Sequence, residues 1–381
     1  MTLKDVINCA YMHVDAGDYE NMRTELSRYV GSDRFNAFRA GIQHVYGMDI
    51  YPLDAGLLEQ LDEAVTQAYE NGKHTGAVLQ DVMHVASVIL DVPPKIWYAW
   101  KDPLFNTTIR IDEIIFPFAH NYARGDYGVS TVTTQMDEYR RENCMDLDSL
   151  EDFDDALEKY VASLQDDAAC IKIGTAYSRG LDFRVEENRD GTIGSIYQKT
   201  RQPGARLSAT EAMRWSNYVV TFLLSYALAE RLPVQVHTGL ATMEGTSPLA
   251  MIPIMKSFPD VQFYLFHGGY PFHDILPGVL DACKNAHVDL CWMPILSQHA
   301  TRSLLKELIS MGHAERVIAF GGDCVSVEGS AGALALTKQI VSSVLGDIVD
   351  QGSITGGDAI DLANTLLFEN GRRSFPKRFL P

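Results

Sequence analysis

An α/β chain folded as a (β/α)8 TIM barrel, distorted or incomplete at strand one and preceded by an N-terminal helical region, is the architecture this sequence predicts. Three observations predict it. The phrases Val-Gln-Val-His-Thr-Gly (234–239), Val-Gln-Phe-Tyr-Leu-Phe-His-Gly-Gly (261–269) and Val-Ile-Ala-Phe-Gly-Gly-Asp (317–323) are brief apolar runs of the kind a buried parallel strand shows. Each carries a side chain with a lone pair at or near its end: His237, His267 and Asp323. Helical stretches alternate with such runs, as right-handed crossovers in a parallel sheet require. Polar residues at the carboxyl ends of successive strands are where a βα barrel keeps its active site. These three are therefore read as one site.

The elements follow in order. Residues 1–72 read as helical, with Leu57, Leu58, Leu61, Ala64, Val65 and Ala68 at helical spacing and Asn71-Gly72 as a C-cap. A short helix fits 75–85. A strand over 86–92 stops at Pro93-Pro94, and a second over 107–116 holds Arg110, Asp112 and Glu113, the first two on one face. Ser149 opens a helix over 150–164 with Glu151 and Asp152 in its first turn, and the acidic run 151–155 reads as a solvated face. A strand over 171–177 follows. Ser208-Ala-Thr-Glu211 is a capping box opening a helix to about Glu230.

Strands at 234–237, 261–267, 288–293 and 317–323 then alternate with helices near 248–257, 272–285, 299–311 and 331–345, and a helix over 357–368 closes the chain. That makes seven strands where the barrel wants eight. The eighth belongs before residue 86, yet nothing in 1–60 reads as a strong strand. The division expected is an N-terminal helical region (1–85) packed on a barrel (86–381), in a single domain overall.

Composition bounds the partners. Apolar residues make up 46% of 381, enough for a sizeable core. A formal net charge of −18 argues against nucleic acid and against an anionic membrane surface. No stretch reads as apolar for long enough to span a bilayer, and the start is not that of a signal peptide. Six dispersed cysteines without a Cys-x-x-Cys pair suit a reducing compartment, so a cytoplasmic protein is expected.

The ordered set His237-Thr-Gly, Phe266-His267-Gly-Gly-Tyr-Pro and Gly321-Gly-Asp323 resembles the metal-dependent amidohydrolase superfamily. The nearer resemblance is to the amidohydrolase-2 branch, with uronate isomerases, decarboxylases and domains related to nodulin and fungal developmental proteins. Ile171-Lys-Ile-Gly-Thr-Ala-Tyr177-Ser-Arg179 looks like that branch's fourth strand and loop, and Ala363-Asn-Thr-Leu-Leu-Phe-Glu-Asn370 is similar to the superfamily's closing helix. The likeness covers roughly residues 75–375. It implies a divalent metal, zinc first and manganese second, held by His237, His267 and Asp323. Asp323 and His267 would be the catalytic groups. The family's strand-one His-x-His is absent here, which the missing strand also implies.

The residues can do this chemistry. A borderline cation takes imidazole nitrogens and a carboxylate and keeps a position open for water or substrate. Asp323 could accept a proton from water; His267 would complete a second metal site or polarise the substrate. Tyr177 and Arg179, just past a strand, suit a substrate carboxylate, and Lys172 is placed to point into the barrel as a substrate contact or ion-pair partner. The expected function is a metal-dependent hydrolase acting on a small, carboxylate-bearing molecule. A decarboxylase, a uronate isomerase-like enzyme and a non-catalytic or truncated chain of the same fold remain open beside it, and the family allows a homo-oligomer.

Overall fold

The computed structural model describes residues 1–15, 17–91, 104–110, 112, 139–177, 179–202 and 206–375. Seven strands follow the chain order: β1 (Val88–Leu90), β2 (Phe105–Arg110), β3 (Ala168–Ile173), β4 (Val234–Val236), β5 (Phe263–Leu265), β6 (Ala286–Asp289) and β7 (Val317–Ile318). The main helices are α1 (Asp33–Tyr46), α2 (Ala55–Tyr69), α3 (Leu150–Leu164), α4 (Ala209–Glu230), α5 (Gln298–Ser310) and α6 (Val327–Asp350). The predicted continuation of β2 over 111 and 113–116, and the stop at Pro93-Pro94, lie outside the described residues.

The chain divides into two compact units, one of Met1–Ala86 with Val288–Arg373 and one of Ser87–His287 with the residues from Ser374. In the second, β1 to β5 pair in parallel, with Ile171 opposite Val234 and Val234 opposite Phe263. The α3 start forms as the sequence requires. Ser149 Oγ accepts the Asp152 amide at 3.1 Å, and the Asp152 carboxylate accepts the Ser149 amide at 2.9 Å. The helix then buries Phe153, Leu157, Tyr160, Val161 and Leu164. Its acidic run is not wholly solvated. Asp154 is half-buried, its carboxylate accepts the Tyr218 hydroxyl of α4 at 2.6 Å, and burial pushes its carboxyl up to about 6.

In the first unit the N-terminal helices make their own core from Leu3, Ile7, Phe35, Phe38, Leu58 and Leu61. Ala37 of α1 also packs with Ala333 and Leu336 of α6 and with Ile295. β6 pairs in parallel with β7, Val288 opposite Val317. β7 is only two residues long because the next amide, Ala319, donates to the Leu366 carbonyl at 3.0 Å instead of continuing the ladder. Two expectations change here. α6 starts four residues earlier than predicted, since Ser326 caps it by accepting the Gly329 amide at 3.2 Å. By length and composition α6 could also cross a bilayer, contrary to the sequence reading, but its apolar side chains are buried within this unit as those of a core helix.

Candidate functional site

The second unit brings two histidines together through backbone that few sequences could follow. The His237 amide donates to the Ile173 carbonyl at 2.8 Å, extending the β3–β4 ladder by one bond. The buried Thr238 hydroxyl then donates to the Phe266 carbonyl at 2.7 Å, tying the ends of β4 and β5 together. Gly239 follows at φ 65°, where a Cβ would stand 1.9 Å from the Tyr270 carbonyl oxygen, so only glycine fits. His267 itself has φ 60°, a left-handed conformation costly for a residue with a Cβ, and Gly268 and Gly269 continue it. Strain of this kind collects at functional sites because surrounding structure must hold it.

Both imidazoles are buried, His237 at 5% and His267 at 1% exposure. His267 Nε2 lies 3.2 Å from His237 Nδ1, and the rings meet edge to face with centroids 4.5 Å apart. Burial first, then His267, Lys172 and Arg110, push the His237 imidazolium down to about pKa 2, so the ring is neutral. A neutral imidazole has one N–H and one lone pair. When Nδ1 donates to His267, the lone pair is left at Nε2. That Nε2 is buried and has no hydrogen-bond partner. An orphaned neutral imidazole nitrogen is costly unless something electrophilic meets it, and a divalent cation of zinc's softness fits.

The neighbours are those the sequence pointed to, with one turned elsewhere. The Tyr177 ring lies 4.6 Å from the His237 ring. Lys172 is buried, with Nζ 3.3 Å from the centre of the Phe266 ring, a cation–π contact. Arg179 faces α4: its guanidinium donates to Ser216, to Asn217 at 3.4 Å and to Asp182 at 3.3 Å, and lies over Phe183. Arg110 pairs with Asp112 at 3.3 Å, as their shared face predicts, and also with Asp91 at 2.6 Å. Burial pushes the Asp112 carboxyl up despite Arg110 and the Gly174 amide, which donates to it at 2.9 Å. Asp91 carried no signal in the sequence beyond its place at the end of an apolar run.

Asp323 belongs to the first unit. It is exposed, on the loop after β7, with φ 46°. A carboxylate oxygen of Asp323 and the Sγ of Cys291 lie within 4.8 Å. Gly321 permits the approach, since a Cβ there would stand 2.4 Å from Cys291 Cβ. The buried Asp289 carboxylate accepts the Cys291 amide at 2.8 Å. Sequence reasoning passed over Cys291 and Asp289, although both stand within the run 288–293. Tyr11 is close as well: burial and then the Asp323 charge push its phenol up, and its ring lies 5.0 Å from Trp292.

Residues 196–332 match the amidohydrolase family. Solved uronate isomerases share the fold over nearly the whole chain. The family match over residues 196–332 and the shared fold support the amidohydrolase superfamily. A uronate isomerase from Thermotoga maritima matches at TM-score 0.76 and 14% identity, over 98% of this chain and 86% of that one. Glucuronate isomerase from Caulobacter crescentus matches at 0.73 and 13%, over 98% and 83%. A protein assigned as a metal-dependent hydrolase from Lactobacillus casei matches at 0.65 and 14%, over 100% and 93%. The fold is thus a distorted (β/α)8 barrel, with seven strands among the described residues. Protein fluG of Emericella nidulans is 24% identical over 211 residues, which is 52% of this chain and spans 24% of that protein's length. Superfamily members typically depend on a metal, and the buried, partnerless Nε2 of His237 is an atom that could meet one.

Proposed function

We propose that this protein is a metal-dependent hydrolase whose ligands are His237, His267 and Asp323 and whose substrate is a small, carboxylate-bearing molecule. The observation that carries the reading is His237 Nε2, buried, neutral and without a hydrogen-bond partner. His237 Nε2 would hold a zinc or manganese ion, which would supply a Lewis acid and a water of lowered pKa. The chain does the rest. While His237 Nδ1 donates to His267 Nε2 the lone pair of His237 stays at Nε2, and His267 would become a ligand by giving up that bond. Asp323, the acid of the Gly-Gly-Asp phrase and exposed on its loop, accepts a proton from water and returns it to the leaving group. Tyr177, beside His237, and Lys172, held over Phe266, orient the substrate and balance its charge. Six free cysteines fit a reducing, cytoplasmic setting.

Uronate isomerase-like chemistry is the second reading, favoured by the fold match at TM-score 0.76. Elemental analysis of protein purified without chelator, beside His237→Ala, tests the shared metal claim. Stoichiometric zinc or manganese lost in the variant supports it; equal traces in both remove it. Incubating the metal-loaded protein with uronates and with carboxylated amides, followed by NMR, then separates isomerisation from hydrolysis.

A further inference from the structure

Within the first unit, Glu328 in the first turn of α6 is fully buried, yet three polar groups from separate N-terminal elements meet its carboxylate. Oε1 accepts the Tyr46 hydroxyl at 2.7 Å and faces His74 Nε2 at 3.0 Å, while Oε2 accepts the Tyr69 hydroxyl at 3.0 Å. Tyr46 closes α1, Tyr69 closes α2, and His74 opens the one-turn helix His74–Ala77. The Tyr46 and His74 rings also stack, with centroids 5.8 Å apart. Backbone meets backbone at the same place. A Cβ on Gly41 would stand 2.1 Å from the Glu328 carbonyl oxygen, and one on Gly332 would stand 2.0 Å from that of Ala37.

The loop carrying Asp323 rests on that turn. A Cβ on Gly322 would meet Ser330 Oγ at 2.7 Å, one on Gly329 would meet Cys324 Cβ at 3.1 Å, and Cys324 Sγ donates to the Gly322 carbonyl at 3.0 Å. An apolar side chain would fill the Glu328 site at less desolvation cost. What the carboxylate adds is direction: hydrogen bonds to three partners from separate elements hold it in this orientation.

We propose that Glu328, gripped by Tyr46, Tyr69 and His74, is a positioning residue that fixes the Asp323 loop, so that the N-terminal helices set the geometry of the site's carboxylate. This rests on the reading of Asp323 as a metal ligand.

Cys324 reports on the loop whether or not metal binds. Chelator-treated wild type and Glu328→Gln are alkylated with iodoacetamide and each cysteine is followed by peptide mass spectrometry. The Gln amide sets N–H groups against donors, and the expected result is Cys324 labelling faster by on the order of tenfold, as for a local opening, with exposed Cys144 unchanged. Tyr69→Phe, a milder change, gives a smaller rise confined to Cys324 and serves as the test if Glu328→Gln does not fold. A Cys324 rate within about twofold of wild type in the folded variants, or an equal rise at every cysteine, overturns the proposal. A second arm titrates zinc into each protein. Weaker binding by the variants supports the positioning role, and unchanged affinity in variants that do bind overturns it. Wild type that binds no zinc removes the metal reading, while selective Cys324 labelling would still support the tether.

Discussion

Replacing Gly239 with alanine isolates what the turn after His237 contributes. The residue has φ 65°, and the added methyl carbon would stand 1.9 Å from the Tyr270 carbonyl oxygen and 2.6 Å from that of Gly269. A left-handed conformation costs an L-residue about 1–2 kcal/mol. Relieving the contact requires the carbonyl to retreat by more than about 1 Å, an overpacking cost of roughly 1–3 kcal/mol. That movement also strains the Leu240 amide's bond to the same carbonyl, 2.9 Å long, and the Thr238 bond across β4 and β5. Together the loss is about 2–5 kcal/mol. Gly191 is the control: it has φ 73° at the start of the helix Thr192–Thr200, and a methyl added there would have nothing within 4 Å. Gly191→Ala therefore carries the backbone cost alone. Urea denaturation followed by tryptophan fluorescence gives both values, and metal content at 25 °C shows whether the folded Gly239 variant still holds the histidine pair. Equal losses from the two substitutions would refute the claim that the Tyr270 carbonyl excludes a side chain at 239.

Two further outcomes follow from burial. His237 has its folded pKa depressed to about 2 from an ordinary 6.5, so its stabilising contribution is complete above 6.5 and is lost as pH falls from 6.5 toward 2. Chelated wild type should therefore lose up to about 2 kcal/mol between pH 7 and 5 that His237→Gln does not lose, read from paired urea midpoints; parallel curves would contradict the neutral buried ring. Asp154 runs the other way, with its folded pKa raised to about 6 from 3.8 and its Oδ1 buried without a hydrogen-bond partner. Its protonated form is favoured below 3.8, and that benefit disappears as pH rises through 6. Partly screened by solvent, the ionised form costs about 1 kcal/mol, so Asp154→Asn should raise stability by that much at pH 8 and by little at pH 4.5. A gain independent of pH would assign the effect to something other than ionisation.

What could be read from the sequence was local. Seven apolar runs gave seven strands at nearly the expected places, and Ser149 and Ser208 cap helices whose boxes are complete within four residues. Strand ends were less accessible, because a ladder stops when a distant group takes the next bond, as Leu366 does for Ala319. The α6 start was hidden by Gly329, Ala331, Gly332 and Ala333, small residues that blur hydrophobic periodicity; Gly332 and Ala333 lie against Ala37 of α1, and Gly329 lies against Cys324. Asp154 looked solvated because its partner, Tyr218, stands 64 residues away on another helix.

The site divides along the same line. His237, His267 and Asp323 were conspicuous because a polar residue beside glycines after an apolar run has few structural uses. Their chemistry was not conspicuous, since the unpartnered state of His237 Nε2 follows from Nδ1 being the nitrogen that faces His267, and that depends on the left-handed turn at His267. Arg179 shows the converse. Its position after β3 suited a carboxylate clamp, yet Ser216 and Asn217 of α4 engage its guanidinium. A guanidinium already engaged has little left to offer a substrate unless those bonds exchange, whereas a buried imidazole nitrogen with no partner has all of its bonding capacity in reserve. That asymmetry is why the metal reading rests on His237.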